Sequence, residues 1–276
     1  DILMLSNLRR GEAARYLRLF ELVCSAPGAG AELEAVRAEA ARLGGGVLLR
    51  MRQLNRIASL ATIRHVPLLF YFLSLPVQLL FLYDFHVLGL LEAWQGRYGR
   101  YARRWFLALG RFEALCSLAA LVHDNPGWTM PRVDPAADRL QARSLAHPLL
   151  PGDTCVANDV EIGPAGSFLL VTGSNMSGKS TLLRAVGVNV ALAQAGAPVR
   201  AECLTLPPAE LATSMRVRDS LEDGVSFYMA ELMRLKEIVD AARDPAARGG
   251  RKLLYLLDEI LLGTNSQERH LAVVRV

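Results

Sequence analysis

Leu169-Leu-Val-Thr-Gly-Ser-Asn-Met-Ser-Gly-Lys-Ser-Thr-Leu-Leu-Arg184 decides how the rest of the chain is read. Within it, Gly173 to Ser180 fits G-x-x-x-x-G-K-[ST], the pattern of a phosphate-binding loop. The flanks suit that reading. An apolar run, Phe168 to Val171, predicts a buried parallel strand, and Thr181 onward predicts a helix. Glycines let the backbone wrap a triphosphate, so that amide hydrogens and the helix N-terminus face the anion. Lys179 then reaches the β and γ phosphates, and Ser180 offers its hydroxyl to Mg²⁺. The alternative is a Gly/Ser turn with a chance lysine. A strand before it and a helix after it argue against that.

A second stretch completes the pattern. Leu253-Leu-Tyr-Leu-Leu-Asp-Glu259 predicts an apolar strand ending in two acids, and Asp258 lies 78 residues after Ser180. In phosphate-loop ATPases the first such acid holds Mg²⁺ and the next orients or deprotonates the attacking water. Asp258 and Glu259 take those roles here, against the alternative of two solvated acids at the start of a loop. Strands near 156–162, 167–171 and 252–257 alternate with helices from Lys179 to about Ala195 and from Met229 to Ala242. That alternation predicts an α/β layer on a parallel sheet.

The first half of the chain reads differently. Helical spacing covers 9–25, 32–43 and 47–63, with Gly44-Gly-Gly46 as a stop signal. Val66 to Leu82 carries no charge, just short of the roughly 20 residues of a membrane span, with Pro67 and Pro76 inside it. A kinked core helix and a membrane helix both fit, and burial is the preferred reading. Arg97, Arg100, Arg103, Arg104 and Arg111 interleave with Tyr98, Tyr101, Trp105 and Phe112. They read as a solvated basic face over inward aromatics, or as a grip on a phosphate backbone. A further apolar helix, 112–122, ends at Asn125-Pro-Gly127, and a proline-rich linker places the domain boundary at 145/146.

At 276 residues the chain is long enough for two cores. It is 52% hydrophobic and 21% charged, which excludes a largely disordered protein. A net charge of +4 permits an anionic partner without requiring one. Cys24, Cys116, Cys155 and Cys203 are scattered, which suggests reduced thiols in a cytoplasmic protein and neither a disulfide frame nor a zinc site. The chain starts at Asp1 without a signal-peptide pattern and stops at Val276 inside a helical pattern. It is expected to be a fragment of a longer protein.

Thr172-Gly-Ser-Asn-Met-Ser-Gly-Lys-Ser-Thr181 resembles the phosphate loop of the MutS family of DNA mismatch-repair ATPases, in which the Asn-Met pair is distinctive. His147-Pro148 and Ala157-Asn-Asp159 resemble the segment ahead of that loop. Asp219 to Met229 resembles the family's signature segment, and Asp258-Glu-Ile-Leu-Leu-Gly-Thr264 its acidic strand and following loop. Phe112 to Ala119 and Pro131 are similar to the end of its lever domain. The resemblance is specific over 147–268 and looser before it.

It implies an α-helical lever-type domain, 1–145, followed by an ABC-type phosphate-loop NTPase domain, 146–276, with a parallel-rich sheet and truncated at its C-terminus. It implies an Mg²⁺-dependent ATPase whose loop residues Gly173, Ser174, Asn175, Met176, Ser177, Gly178, Lys179, Ser180 and Thr181 bind ATP. Ser180 and Asp258 would serve the metal, and Glu259 and Lys179 catalysis. Ser226 matches the serine that reaches the nucleotide of a facing subunit, so a homodimer through the ATPase domain is implied; as a helix N-cap it would be equally at home. DNA, mismatched or otherwise irregular, is the implied partner.

Three departures stand out. Cys155-Val156 occupies the place of an aromatic that stacks on adenine in many members. Leu261-Leu-Gly263-Thr264 replaces Gly-Arg-Gly-Thr and removes a cation. Within residues 1–276 no mismatch-reading domain is expected ahead of the helices. These fit a divergent branch, so an ATPase for recombination intermediates, or one anchored at a membrane, stands as the alternative; intact Lys179, Asp258 and Glu259 weigh against a catalytically dead module.

Overall fold

The computed structural model describes residues 12–28, 30–61, 83–152, 154–174, 176–215, 227–244, 246 and 248–258. Contacts divide the chain into two compact units, Asp1–Ser117 and Leu118–Val276. The units meet at 117/118 and not at 145/146: the strand Leu140–Leu145, which ends at the expected boundary, is laddered into the second unit.

The first unit is helical. α1 (Glu12–Ser25), α2 (Ala31–Arg42), a short 3₁₀ turn (Leu43–Gly45) and α3 (Val47–Ala61) precede α4 (Tyr83–Asp124), which continues into the second unit. α1 to α3 match the expected spacing because apolar residues recur every third or fourth position. Phe20 and Val23 of α1, Val36 and Ala40 of α2, Val47 and Met51 of α3, and Trp105 and Ala108 of α4 form one core. Trp105 is fully buried, and its indole N–H donates to the Leu43 carbonyl at 3.3 Å. Gly44 makes that approach possible: it sits at φ +64°, and a Cβ there would meet Tyr101 at 2.9 Å and Trp105 at 3.0 Å.

The expected separate helix over 112–122 is instead the end of α4, a single 42-residue helix about 63 Å long. No proline interrupts 83–125, and its internal glycines weaken a helix without stopping one. Asn125 ends it, its side-chain amide donating to the Leu121 carbonyl, with Pro126 and Gly127 beyond. The charge-free run Val66–Leu82 lies outside the described residues.

In the second unit, β1 (Arg132–Val133), β2 (Leu140–Leu145), β3 (Asn158–Ile162) and β4 (Cys203–Leu206) form a sheet in the order β1-β4-β2-β3. Only β1 and β4 are parallel in it; β2 runs antiparallel to both β3 and β4. β5 (Ala209–Ser214) and β6 (Lys252–Leu257) form a separate parallel pair. The expectation of a parallel sheet therefore holds for β5 and β6, while the first sheet is mixed. The expected strand at 167–171 does not form: Phe168 and Leu170 are about three-quarters exposed, and no described strand pairs with the segment. An extended segment without a ladder has neither hydrogen-bond partners nor a covered face.

α5 (Lys179–Gln194) lies against both sheets, and α6 (Phe227–Arg243) against β5 and β6. Val186 and Val190 of α5 share a core with Leu204 and Leu206 of the first sheet and Leu256 of β6. Asn189 sits in that apolar setting, fully buried, because every polar atom it carries is used. Its amide donates to the carbonyls of Ala146 and Ala185, and its carbonyl accepts the Arg200 N–H at 2.8 Å. Asn189→Ala is expected to lower stability by about 2–3 kcal/mol, since it strands at least one buried backbone group. A thermal or urea melt of the second unit's transition checks this; a loss under about 0.5 kcal/mol would show the network to be dispensable.

Candidate nucleotide-binding site

Thr172–Ser174 and Met176–Gly178 are exposed, and the latter deliver the chain into the first residue of α5. Two left-handed residues shape this turn: Met176 at φ +65°, its side chain fully in solvent, and Gly178 at φ +91°, the residue just before the helix. No side chain caps α5, so its first amides are left for another acceptor. Close to Gly173, a Cβ would stand 2.8 Å from the Ser177 hydroxyl, so the backbone approaches itself more tightly than a larger residue permits.

Lys179 folds back over this turn. Its ammonium donates to the carbonyl oxygens of Gly173, at 2.8 Å, and Ser174, at 2.7 Å. The cation thus already sits within the loop, held by neutral acceptors. A phosphate oxygen makes a stronger, charge-assisted partner for the same protons. Ser180 is half-buried in the first turn of α5, and Thr181 is exposed beside it.

Helix packing places this turn relative to Asp258. Gln194, the last residue of α5, accepts the N–H of Ala209 at the start of β5. Further back along the helix, Gly187 faces Leu256 of β6 and Leu211 of β5, where a Cβ would come within 3.0 Å of the Leu256 side chain. α5 therefore runs antiparallel to the β5–β6 pair, and its start lies toward the strands' carboxyl ends. Lys179 is eight residues, about 12 Å, beyond Gly187 in that direction. Asp258 follows β6 directly, its N–H donating to the Ser214 carbonyl at the end of β5. Loop and carboxylate occupy the same edge of the parallel pair, where open α/β sheets take their ligands.

Of the other predicted residues, Asn175, Ser226 and Glu259 lie outside the described residues, as do the signature segment up to Ser226 and residues 261–264. Cys155 is half-buried near the His147 carbonyl, and Val156 is 79% exposed, an aliphatic surface available for packing. All four cysteines are free. Sequence reasoning missed Arg200. Its guanidinium donates to the carbonyls of His147 and Leu150, while its backbone is held by Asn189. Together these two residues pin the segment that leads to Cys155 and Val156. An asparagine between Val186 and Val190 was the available signal.

The comparisons with known proteins agree with the loop. Residues 169–274 match the family model of MutS domain V, the ATPase region of that family. Over residues 169–274 this chain carries a MutS domain V. It is 32% identical over 189 residues to the DNA mismatch repair protein MSH6 of Arabidopsis thaliana, covering 63% of this chain and 14% of that one. Against DNA mismatch repair protein MutS of Thermotoga maritima the identity is 33% over 165 residues, 58% of this chain and 19% of that one. Against DNA mismatch repair protein MSH3 of Coccidioides immitis it is 34% over 186 residues, 66% and 16%. The chain thus spans less than a fifth of the length of these MutS relatives.

The left-handed glycine before α5 gives a direct test of loop geometry. Nothing lies within 4 Å of a Cβ at Gly178, so only the backbone opposes substitution. Gly178→Ala is expected to cost about 1–2 kcal/mol. Calorimetry of the variant checks it, and an unchanged transition would mean that the loop does not hold the positive φ.

Proposed function

We propose that this chain is the ATPase-bearing portion of a MutS-type DNA mismatch-repair protein, in which ATP binding and hydrolysis drive a dimeric clamp on DNA. The observation that carries the reading is the direction of α5, whose start, with Lys179, lies toward the carboxyl ends of the β5–β6 pair that Asp258 follows. The MutS domain V supports it, because the MutS family's members are ATPases. In the same reading the second unit is an ABC-type phosphate-loop NTPase domain, the helical unit is its lever, and the protein is cytoplasmic.

The roles follow from charge and position. Amides of Ser174 to Lys179 and the open start of α5 face the triphosphate. Lys179 leaves the carbonyls of Gly173 and Ser174 and neutralises charge building on the γ-phosphate oxygens. Glu259 accepts a proton from the attacking water, and Ser226 of a facing subunit closes the site over the γ-phosphate. A hydroxyl and a carboxylate suit a hard cation that keeps most of its waters, and no three-ligand His/Cys/Asp/Glu group among the described residues would select another metal. Ser180 and Asp258 would hold Mg²⁺, which when bound supplies further charge neutralisation to the phosphate oxygens.

Lys179→Ala should weaken ATP binding at least 100-fold, and Glu259→Gln should leave binding intact while slowing turnover by a similar factor. Equilibrium binding of a fluorescent ATP analogue, paired with single-turnover hydrolysis in the intact protein, measures both. Tight binding by Lys179→Ala would refute the site. The departures at Cys155-Val156 and Leu261–Gly263 favour a second reading, an ATPase that grips recombination intermediates without mismatch preference. Affinities for homoduplex, mismatched and branched DNA at one fixed salt concentration separate the two.

A further inference from the structure

The outer face of α4 carries an unusual combination. Phe85, Leu90, Arg97, Arg100, Arg104 and Leu107 fall within about two-fifths of the helix circumference at 3.6 residues per turn. Its midline lies about a third of a turn from that of Trp94, Tyr98, Tyr101 and Trp105, which pack on or within the first unit's core. Phe85 is 69% exposed, Leu107 57% and Leu90 49%. One carboxylate, Glu92, borders it about 20° beyond Phe85, and no described carboxylate pairs with Arg97, Arg100 or Arg104, although Arg111 further along is tied to Glu32 and Glu39. The aromatic neighbours beneath hold two of the guanidinium groups, Arg100 at 4.8 Å from the Tyr101 ring centroid and Arg97 at 5.8 Å from that of Tyr98.

A solvated helix face mixes acids with bases and exposes few large apolar groups. This one does neither. Charge is also distributed unevenly along the chain: Asp1–Ser117 holds fifteen arginines, no lysine and nine acids, whereas Leu118–Val276 holds sixteen basic residues and eighteen acids. Phe85–Asp124 is long and apolar enough to cross a membrane by length and composition. Arg97, Arg100, Arg103 and Arg104 would make its N-terminal half costly to insert. Arginines beside exposed phenylalanine and leucine on one side of a helix are instead the composition of an interfacial helix, whose apolar groups enter the acyl boundary while its cations meet headgroups.

We propose that this face of α4 docks the helical unit, side-on, onto an anionic phospholipid surface. The charge complementarity selects anionic headgroups. Phe85, Leu90 and Leu107 select a bilayer over a nucleic-acid backbone, which would leave three large apolar side chains against phosphate and water. From Phe85 to Leu107 the face is about 33 Å long, enough to lie along a membrane plane.

The test is flotation of the full chain with vesicles of phosphatidylcholine alone and with vesicles carrying one-third phosphatidylglycerol, over a salt series. Binding is expected only with phosphatidylglycerol. Each arginine contributes about fivefold to partitioning, so Arg97→Gln/Arg100→Gln/Arg104→Gln should weaken it about 100-fold and Arg100→Gln alone about fivefold. Phe85→Ser/Leu107→Ser should lower the binding that persists at high salt. All five side chains are outside the core, and circular dichroism confirms folding of each variant. No preference for anionic vesicles, or partitioning unchanged by the arginine substitutions, overturns the proposal. So does a triple variant that loses duplex-DNA binding while keeping vesicle binding, which would make the face a nucleic-acid surface.

Discussion

The approach of Gly187 to Leu256 fixes more of the second unit than any other single contact. With no side chain on Gly187, α5 settles onto the β5–β6 pair, and with Gln194 capping the Ala209 N–H its direction along the strands is set as well. Everything at the candidate site inherits from those two contacts. They put the start of α5, with its free amides, at the carboxyl ends of the strands, and β6 carries Asp258 to that edge. A larger residue at 187 would tilt or lift the helix and move Lys179 relative to the carboxylate, although neither residue touches the contact. Close packing of this kind transmits a displacement because neighbouring side chains have nowhere to yield.

Asn189 and Arg200 add a second constraint on the same helix. The core around α5 is aliphatic, so a buried amide there is tolerable only when all its hydrogen-bonding capacity is used, and it is. The effect is to tie the stretch leaving β2 to the helix that begins with Lys179. Arg200 extends the tie to the carbonyls of His147 and Leu150. Loop and neighbouring segment are therefore referenced to one element, which is how a binding site keeps its geometry without being built on a rigid strand at both sides.

Local features were readable from the chain to the extent that their cause was local. The loop, the helices at 179–194 and 227–243 and the strand at 252–257 announce themselves through a phosphate-loop pattern, helical spacing and an apolar run. β2 did not, because Leu140-Gln-Ala-Arg-Ser-Leu145 is half polar and follows prolines, and its ladder partners are at 158–162 and 203–205. β4 and β5 sit either side of Pro207-Pro208, which reads as a loop when taken alone. The apolar run at 168–171 failed in the opposite way: its composition is that of a strand, yet no described strand lies beside it. Its strand character needs a neighbour, and composition does not supply one. Asn189 and Arg200 were invisible for a related reason. Their importance is in the carbonyls they reach, 43 and 53 residues away.

The position of Lys179 connects fold to chemistry most directly. An ammonium with three protons, bonded to two carbonyls of its own loop, is neither unsatisfied nor committed. The carbonyls of Gly173 and Ser174 are dipoles, worth less to the cation than a phosphate oxygen with a full charge, so in the proposed reading an incoming triphosphate would displace them without first breaking an ion pair. A carboxylate in their place would have held the lysine far more tightly and opposed the exchange. The loop has none: between Thr172 and Thr181 there is no acidic residue, and Asp258 stands off at the end of β6. In the proposed reading the cation in the loop and the acid after β6 would hold a triphosphate and its counter-ion at the carboxyl ends of the strand pair, an arrangement that follows from how α5 packs.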